Sequence, residues 1–319
     1  MTTYFEPISF TLWAKDKHEF AEQLGQSFRE TGFAVICEHP VSVDIITSNL
    51  DVTRAFFSLP ESDKLKYHDP TGGGQRGYTP FGTENAKGRK AYDLKEFWHT
   101  GRHLTQDSPL IRDSSYRDQM MDTPAVDTVA EFDVVTRCLY SALDDFGALL
   151  LRAVALHLGL DEAWFDRKVD VGNSILRLLH YPPQTRVPPT GSVRAAAHED
   201  INVITLLLGA EEAGLQVKHR SGKWLNVNPP AGTLVINCGD MLQRLTSGVL
   251  QSTTHRVLNP TPERAKFSRY SYPFFLHFNP DVLIEALPQC IAEGGTAMPP
   301  ITANDYLHER LVEIGLVKT

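Results

Sequence analysis

The feature that most constrains this chain is a set of polar residues that can act together only if distant segments converge. Arg194-Ala-Ala-Ala-His198-Glu-Asp200 is followed far downstream by His255 and then by Arg269-Tyr-Ser271. In a strand the side chains alternate, so His198 and Asp200 point to the same side. Two imidazoles and one carboxylate on one face of a metal leave three positions open, which suits Fe(II) oxygen chemistry. So few sulfur ligands argue against a structural zinc site, while a catalytic zinc satisfies the same ligand chemistry. The chain has 12 histidines and 39 acidic residues in 319 positions, enough for one or two H-x-[D/E] matches by chance. The pair therefore takes its weight from order, spacing and context.

Composition removes several alternatives. A hydrophobic content of 42% and a charged content of 22% are those of an ordinary soluble globular chain. A formal net charge of −8 without a basic cluster argues against a nucleic-acid binder and against a basic membrane-surface patch. No apolar run is long enough to span a bilayer, and no basic segment followed by an apolar run marks a signal peptide. Cys37, Cys138, Cys238 and Cys290 are widely spaced, which fits reduced thiols in a cytoplasmic protein better than a disulfide framework. The expected partner is a small-molecule substrate, with the chain a monomer or a small homo-oligomer.

Pattern divides the chain into an α-rich half and a β-rich half. Pro7 to Phe10 is predicted as an entry strand, Lys17 to Thr31 as a helix with a stripe of Phe20, Leu24 and Phe28, and Phe33 to Cys37 as a buried strand. A second helix is predicted from Val43 to Leu59, stopped by Pro60. From Tyr67 to Arg102, glycines and aromatics alternate in what reads as a long loop carrying Arg76, Tyr78, Phe81, Phe97, Trp98, His99 and Arg102. Long loops of this kind commonly form pocket walls. Val126 to Leu158 is predicted as a scaffold helix whose last histidine, His157, is structural.

After Gly172, short strands are predicted over Ser174–Tyr181, Val193–Ala197, Asn202–Leu208, Gly214–His219, Thr233–Cys238, Thr253–Leu258 and Phe267–His277. Frequent turn signals between them suggest a sandwich or jelly roll. A last helix, Ala303 to Ile314, is expected to pack back on the rest. The expectation is one structural unit over residues 1–319: an α-rich part (1–170), a β core (171–280) and a helical C-terminal extension (281–319).

The chemistry falls on the β half. Arg269 and Ser271 share a strand face, and an Arg within a pocket can hold a carboxylate through two parallel hydrogen bonds with Ser adding a third. A 2-oxo acid with a distal carboxylate fits this arrangement. Arg194, Ala196 and His198 share a face if their strand is regular, as do Arg177, Leu179 and Tyr181. Either Arg194 or Arg177 is therefore a candidate contact for an anionic substrate or for the C1 end of the oxo acid. Phe97, Arg76 and Tyr78 are further substrate-contact candidates from the aromatic-rich segment.

The ordered set resembles the isopenicillin N synthase-like family of 2-oxoglutarate- and Fe(II)-dependent oxygenases, in the style of its bacterial members. The resemblance runs through Gly32-Phe-Ala-Val-Ile, Arg76-Gly-Tyr-Thr-Pro, Asp93-Leu-Lys-Glu-Phe-Trp, His180-Tyr-Pro-Pro and Ala197-His-Glu-Asp-Ile. It continues through Gly214-Leu-Gln-Val, Gly239-Asp-Met-Leu-Gln-Arg, Ser252-Thr-Thr-His-Arg-Val and Arg269-Tyr-Ser-Tyr-Pro-Phe-Phe, almost the whole chain in order.

The resemblance implies a distorted jelly-roll (double-stranded β-helix) core with flanking helices, an α+β, mainly β fold. It implies His198, Asp200 and His255 as iron ligands, Arg269 with Ser271 as the clamp for the 2-oxoglutarate C5 carboxylate, and Tyr181 beside the cosubstrate. Leu179 departs from an Asn found in many relatives. The implied cofactors are Fe(II), 2-oxoglutarate and O2, with succinate and CO2 released as a small molecule is oxidised, hydroxylation being the expected outcome. A 2-oxoglutarate-independent oxidase or cyclase of the same family and a non-catalytic ligand-binding protein are the alternatives.

Overall fold

The computed structural model describes residues 5–70, 74–83, 92–103, 122–184, 188–189, 191–208 and 214–313. Its centre is an eight-stranded sheet in the order β1 (Pro7–Ser9), β2 (Phe33–Cys37), β10 (Leu234–Cys238), β7 (Ile204–Leu208), β12 (Arg269–Leu276), β5 (Ile175–Tyr181), β4 (Glu96–Gly101) and β3 (Gly77–Thr79). A four-stranded sheet of β6 (Ala195–His198), β11 (His255–Val257), β8 (Leu215–Lys218) and β9 (Trp224–Asn226) accompanies it. A short pair, β13 (Leu283–Ile284) with β14 (Ile301–Thr302), precedes the last helix, Ala303–Glu313.

Alternation gives the large sheet two different faces. From β12, Tyr272, Phe274 and Leu276 enter the main apolar core, as do Leu176 and Leu178 of β5 and Ile204, Leu206 and Leu208 of β7. That core is closed by the helices Lys17–Thr31, Val43–Phe57 and Phe132–His157, which contribute Phe20, Leu24, Phe56, Leu143, Phe146 and Leu150. The residues between these on the strands face the small sheet. Phe33, Val35 and Val235 meet Ala195, Leu215, Val217 and Val257 there in a second cluster.

Local chemistry explains the helix limits. Asp16 accepts a hydrogen bond from the Glu19 amide to start the helix Lys17–Thr31, and Gly32 ends it in the left-handed region at φ 73°. A Cβ at Gly32 would lie 2.4 Å from the Gln251 carbonyl oxygen, so shape as well as backbone conformation selects glycine. His157 is structural: its Nε2 accepts from the Arg29 Nε at 2.8 Å, and its Nδ1 lies 3.1 Å from Glu22. The four cysteines are free thiols.

The segment predicted as a continuous loop from Tyr67 to Arg102 is different in the structure. β3 and β4 extend the large sheet there, with Trp98 paired to Leu178 and Phe97 to Leu179. Glycines on either side of β3 obscured the strand pattern; residues 84–91, between the two strands, lie outside the described ones. β9 and the helix Asp240–Leu245 were also missed, being too short for a periodic signal. Arg102 is a framework group: it makes a bidentate pair with Asp144 on the long helix, at 2.6 and 2.7 Å.

On the helix side of β4, Glu96 is enclosed with Lys64, Tyr78 and His180. It receives hydrogen bonds from Lys64 Nζ at 2.8 Å, from His180 Nδ1 at 2.7 Å and from the Tyr78 hydroxyl. Burial opposes ionisation of Glu96, but bonds from His180, Lys64 and Tyr78 outweigh it and hold the carboxyl below its ordinary range. A depressed folded-state pKa adds stability that is complete above the ordinary Glu range and lost as pH falls through the folded value. Replacing Glu96 by Ala is expected to cost about 3–5 kcal/mol, because Lys64 is left buried without its anion. Urea unfolding across acidic pH checks both points: the midpoint of the Glu96→Gln variant should fall less between neutral and acid pH than that of the wild type.

Candidate metal centre and adjoining cavities

The parity of the strands that builds the core also builds the site. Arg269, Ser271, Pro273 and Phe275 of β12, Arg177, Leu179 and Tyr181 of β5, and Thr205 and Leu207 of β7 all point away from the helices. They face β6 and β11, which carry His198 and His255 directly opposite each other in antiparallel register. Ligand atoms of His198, Asp200 and His255 all lie within 4.8 Å of one another, forming a histidine and carboxylate cluster among the described residues. Asp200 Oδ1 lies 3.7 Å from His198 Nε2 and 3.9 Å from His255 Nε2.

The surroundings orient these donors. His198 Nδ1 donates to the Ala196 carbonyl at 2.7 Å and His255 Nδ1 to the Thr253 carbonyl at 3.1 Å. A carbonyl can only accept, so both Nδ1 atoms carry the proton and both Nε2 lone pairs turn toward the centre. Asp200 Oδ2 accepts from Thr205 Oγ1 at 2.6 Å and from Asn237 Nδ2 at 2.8 Å, which leaves Oδ1 for the centre. Enclosure holds the His198 pKa at about 4; His255 and Lys95 act in the same direction and Asp200 opposes them. Burial works against the Asp200 charge, but His255, His198, Thr205 and Asn237 together keep its carboxyl below the usual range. Neutral imidazoles beside an ionised carboxylate are the protonation states a divalent ion requires. The donor set therefore fits Fe(II).

Two cavities meet at this centre. The smaller, about 70 Å³, is lined by His198, Asp200, His255, Tyr181, Arg269 and Ser271. Arg269 is buried, its Nη1 lies 3.4 Å from Ser271 Oγ, and its guanidinium sits 5.0 Å from the centre of the Tyr181 ring. The larger cavity, about 450 Å³, also reaches His198 and Asp200, and is lined by Gln75, His99, Arg177, Phe275 and His277. Leu307, Arg310 and Leu311 of the C-terminal helix complete it, so that extension contributes to the wall beyond packing on the core.

The substrate-contact candidates separate. Arg177 lines both cavities; its guanidinium lies 4.3 Å from the Phe97 ring and 5.2 Å from the Phe275 ring, and its Nε donates to His99 Nε2 at 2.6 Å. Phe97 stands behind it, clustered with Leu179 and Tyr181. Arg194 is 1% exposed, lines neither cavity and lies over Tyr181 at 5.6 Å. Regular alternation would have placed it beside His198. Instead β6 begins at Ala195, and the register between His198 and Ala195 on one strand and His255 and Val257 on the other shifts by a bulge.

Arg76 is buried with its guanidinium 2.6 Å from Asn173 Oδ1, and the Tyr78 hydroxyl belongs to the Glu96 cluster, so both face the framework. Sequence reading missed Thr205, Asn237, His277, Asp240 and the Asp93–Lys95 pair. Burial pushes Asp240 up to about 6, with Glu199 and Asp200 adding to it, and enclosure lowers His277 to about 4. Parity was the one signal available: Thr205 shares its strand face with Leu207, and Lys95 shares one with Phe97 and His99.

Residues 6–123 match the family described as the non-haem dioxygenase in morphine synthesis N-terminal region, and residues 172–278 match the 2OG-Fe(II) oxygenase superfamily. The 2-oxoglutarate-Fe(II) type oxidoreductase hxnY of Emericella nidulans is 32% identical over 295 residues, covering 91% of this chain and 83% of that protein. A 2OG-Fe(II) oxygenase family protein from Caulobacter crescentus shares 48% identity and superposes with a TM-score of 0.89 over 98% of this chain and 100% of that one. A Neurospora crassa protein solved at full length in complex with alpha-KG and thymine is 30% identical, with a TM-score of 0.82 over 97% of this chain and 96% of that one.

The chain belongs to the 2OG-Fe(II) oxygenase family. It is a 2-oxoglutarate-dependent Fe(II) dioxygenase, an oxidoreductase built on the double-stranded β-helix fold. Hydrogen bonds that orient a ligating carboxylate typically contribute about ten- to a hundred-fold to metal affinity. Thr205→Val is accordingly expected to weaken Mn(II) or Fe(II) binding about ten- to a hundred-fold, measured by equilibrium dialysis. An unchanged affinity would mean that Asn237 alone orients Asp200.

Proposed function

We propose that His198, Asp200 and His255 hold the Fe(II), that Arg269 and Ser271 bind the C5 carboxylate of 2-oxoglutarate beside Tyr181, and that the larger cavity takes the primary substrate. The supporting observation is that the two cavities adjoin at His198 and Asp200, so a cosubstrate in one and a substrate in the other reach the same metal. When bound, the iron and 2-oxoglutarate supply the oxidising chemistry, with O2 consumed and succinate and CO2 formed. This chain's residues bind, orient and enclose. Arg269 neutralises one carboxylate, Ser271 adds a hydroxyl, and the apolar Leu179, Leu207 and Val257 keep water from the cosubstrate.

The substrate in this reading is a small molecule, because about 450 Å³ lies toward the lower end of ligand-pocket sizes. Arg177, held between Phe97 and Phe275, offers it a polar edge flanked by flat apolar surfaces. The thymine of the Neurospora crassa complex is a ligand of that small, planar, polar kind. Arg194, Arg76 and Tyr78 serve as framework here. Residues 171–280 act as the catalytic core, with the 1–170 part and the 281–319 extension supplying support and cavity wall.

No described helix is long and apolar enough to cross a membrane. The free thiols and acidic balance support a cytoplasmic monomer or small homo-oligomer that engages neither nucleic acid nor membrane. Purified protein given Fe(II), 2-oxoglutarate and O2 should release succinate, faster when a screened small molecule is accepted. His255→Ala should abolish both metal binding and turnover. Arg269→Ala should raise the KM for 2-oxoglutarate about ten- to a hundred-fold, the loss of a charge-assisted pair; a KM equal to that of the wild type would overturn the clamp assignment.

A further inference from the structure

The cosubstrate has two carboxylates, and Arg269 accounts for one. In the proposed binding mode the 2-oxo acid end lies at the metal, where a second cationic side chain would add to its binding. The charged residues lining the smaller cavity are Lys95, Arg177, Asp200 and Arg269. Arg177 is engaged on its faces by Phe97 and Phe275 and at Nε by His99. Lys95 is held by the Asp93 carboxylate instead. It is 7% exposed and lines both cavities, as His198 and Asp200 do.

Its position is built. Asp93 Oδ2 holds Lys95 Nζ at 3.0 Å, while Asp93 Oδ1 accepts from the Ala196 amide at 3.1 Å, two residues before His198. The Leu94 amide donates to the Val193 carbonyl at 3.0 Å, which fixes this segment against the start of β6. Glu96 pairs with His180 and Phe97 with Leu179, so the next step along the ladder sets Lys95 beside Tyr181 and diagonal to Leu179. Diagonal neighbours lie about 7–8 Å apart, within reach of a long side chain. Leu179 itself brings no polar atom to that face, and a lysine from the adjacent strand can reach across it.

We propose that Lys95, positioned by Asp93, binds the C1 carboxylate end of 2-oxoglutarate, making the site a two-cation clamp with Arg269 at the opposite end. The inference rests on the cosubstrate reading of the smaller cavity. Asp93 also explains how an ammonium can stand next to a cation site: the pair is close to neutral until the dianion arrives, and the carboxylate then shares the ammonium as a third partner.

The test is 2-oxoglutarate binding to the Mn(II)-loaded protein, followed by calorimetry without turnover. Asp93→Asn combined with Lys95→Met removes both charges and avoids a stranded carboxylate. It should leave Mn(II) affinity intact and weaken 2-oxoglutarate binding about ten- to a hundred-fold, as for loss of a hydrogen bond to a charged group. Adding Leu179→Asn, which offers an amide donor on the same face, should recover much of that loss; a merely structural role for Lys95 predicts no recovery. If the double variant fails to hold Mn(II), Lys95→Gln, which keeps a donor toward Asp93, reads the same loss.

A dissociation constant within about two-fold of the wild type overturns the proposal, as does a loss that Leu179→Asn does not relieve. Arg269→Ala separates the two levels. Loss of binding there with none at Lys95 sinks this inference alone, while unchanged binding in Arg269→Ala sinks the cosubstrate reading beneath it.

Discussion

Everything at this centre depends on the parity of the large sheet. On β12, Tyr272, Phe274 and Leu276 pack against the helices, while Arg269, Ser271, Pro273 and Phe275 line the cavity. A slip of one residue would exchange the sets, placing the Arg269 guanidinium among aromatic rings and Phe274 in the site. Burying an unpaired cation costs several kcal/mol and exposing a large aromatic forfeits roughly 1.5–3 kcal/mol more. The free energy that folds the protein therefore also fixes the chemistry. The Glu96 cluster ties β4 to β5 from the helix side, where Glu96 stands opposite His180, and Arg269 stands opposite Tyr181 at the end of the same β5.

A second dependence is electrostatic. Asp200 is a buried anion whose immediate neighbours are neutral donors, Thr205 and Asn237, and two imidazoles whose Nδ1 atoms are tied to backbone carbonyls with Nε2 inward. The carboxylate is supported well enough to stay ionised, and one of its oxygens is kept for the metal. The cations near it are restrained differently: Lys95 by Asp93, Arg177 by rings and a histidine, Arg269 by Ser271 and Tyr181. In the proposed binding mode a dianionic cosubstrate meets charges already fixed in place, which lowers the ordering cost of binding.

Much of this was legible in the sequence because it obeys short-range rules. Lys17–Thr31 and Phe33–Cys37 were predicted to the residue: an apolar stripe, a glycine stop and a compact β-branched run are unambiguous signals. Arg177, Leu179 and Tyr181 share a face as alternation required. Alternation failed for Arg194, because a bulge in β6 inserts a residue that no local pattern announces. It went unused for Phe97 and for Lys95 just before β4, since the whole stretch from Tyr67 to Arg102 reads as a loop. Thr205 and Asn237 were invisible for another reason: their role arises only when β7 and β10 are paired, Asn237 opposite Thr205.

The division of labour between core and periphery has a consequence for how such a site can change. The residues proposed for metal and cosubstrate lie on strands β5, β6, β11 and β12 and at Asp200 just beyond β6, where strand register and charge balance fix them. The larger cavity shares His198, Asp200, Lys95, Arg177 and Phe275 with that centre and adds Gln75, His99, His277 and, from the last helix, Leu307, Arg310 and Leu311. Arg310 and Leu311 are on a terminal helix that buries only Ala303 and Tyr306, so its cavity side can vary at small cost to the fold. Under the proposed assignment, variation at the cavity wall falls most easily on that helix, while His99 of β4 and Arg177 of β5 are held by the sheet. The oxidising chemistry is carried by residues whose positions the sheet dictates. Relatives with the same centre can in this way diverge in what they oxidise while keeping the register of β5 and β12 that makes oxidation possible.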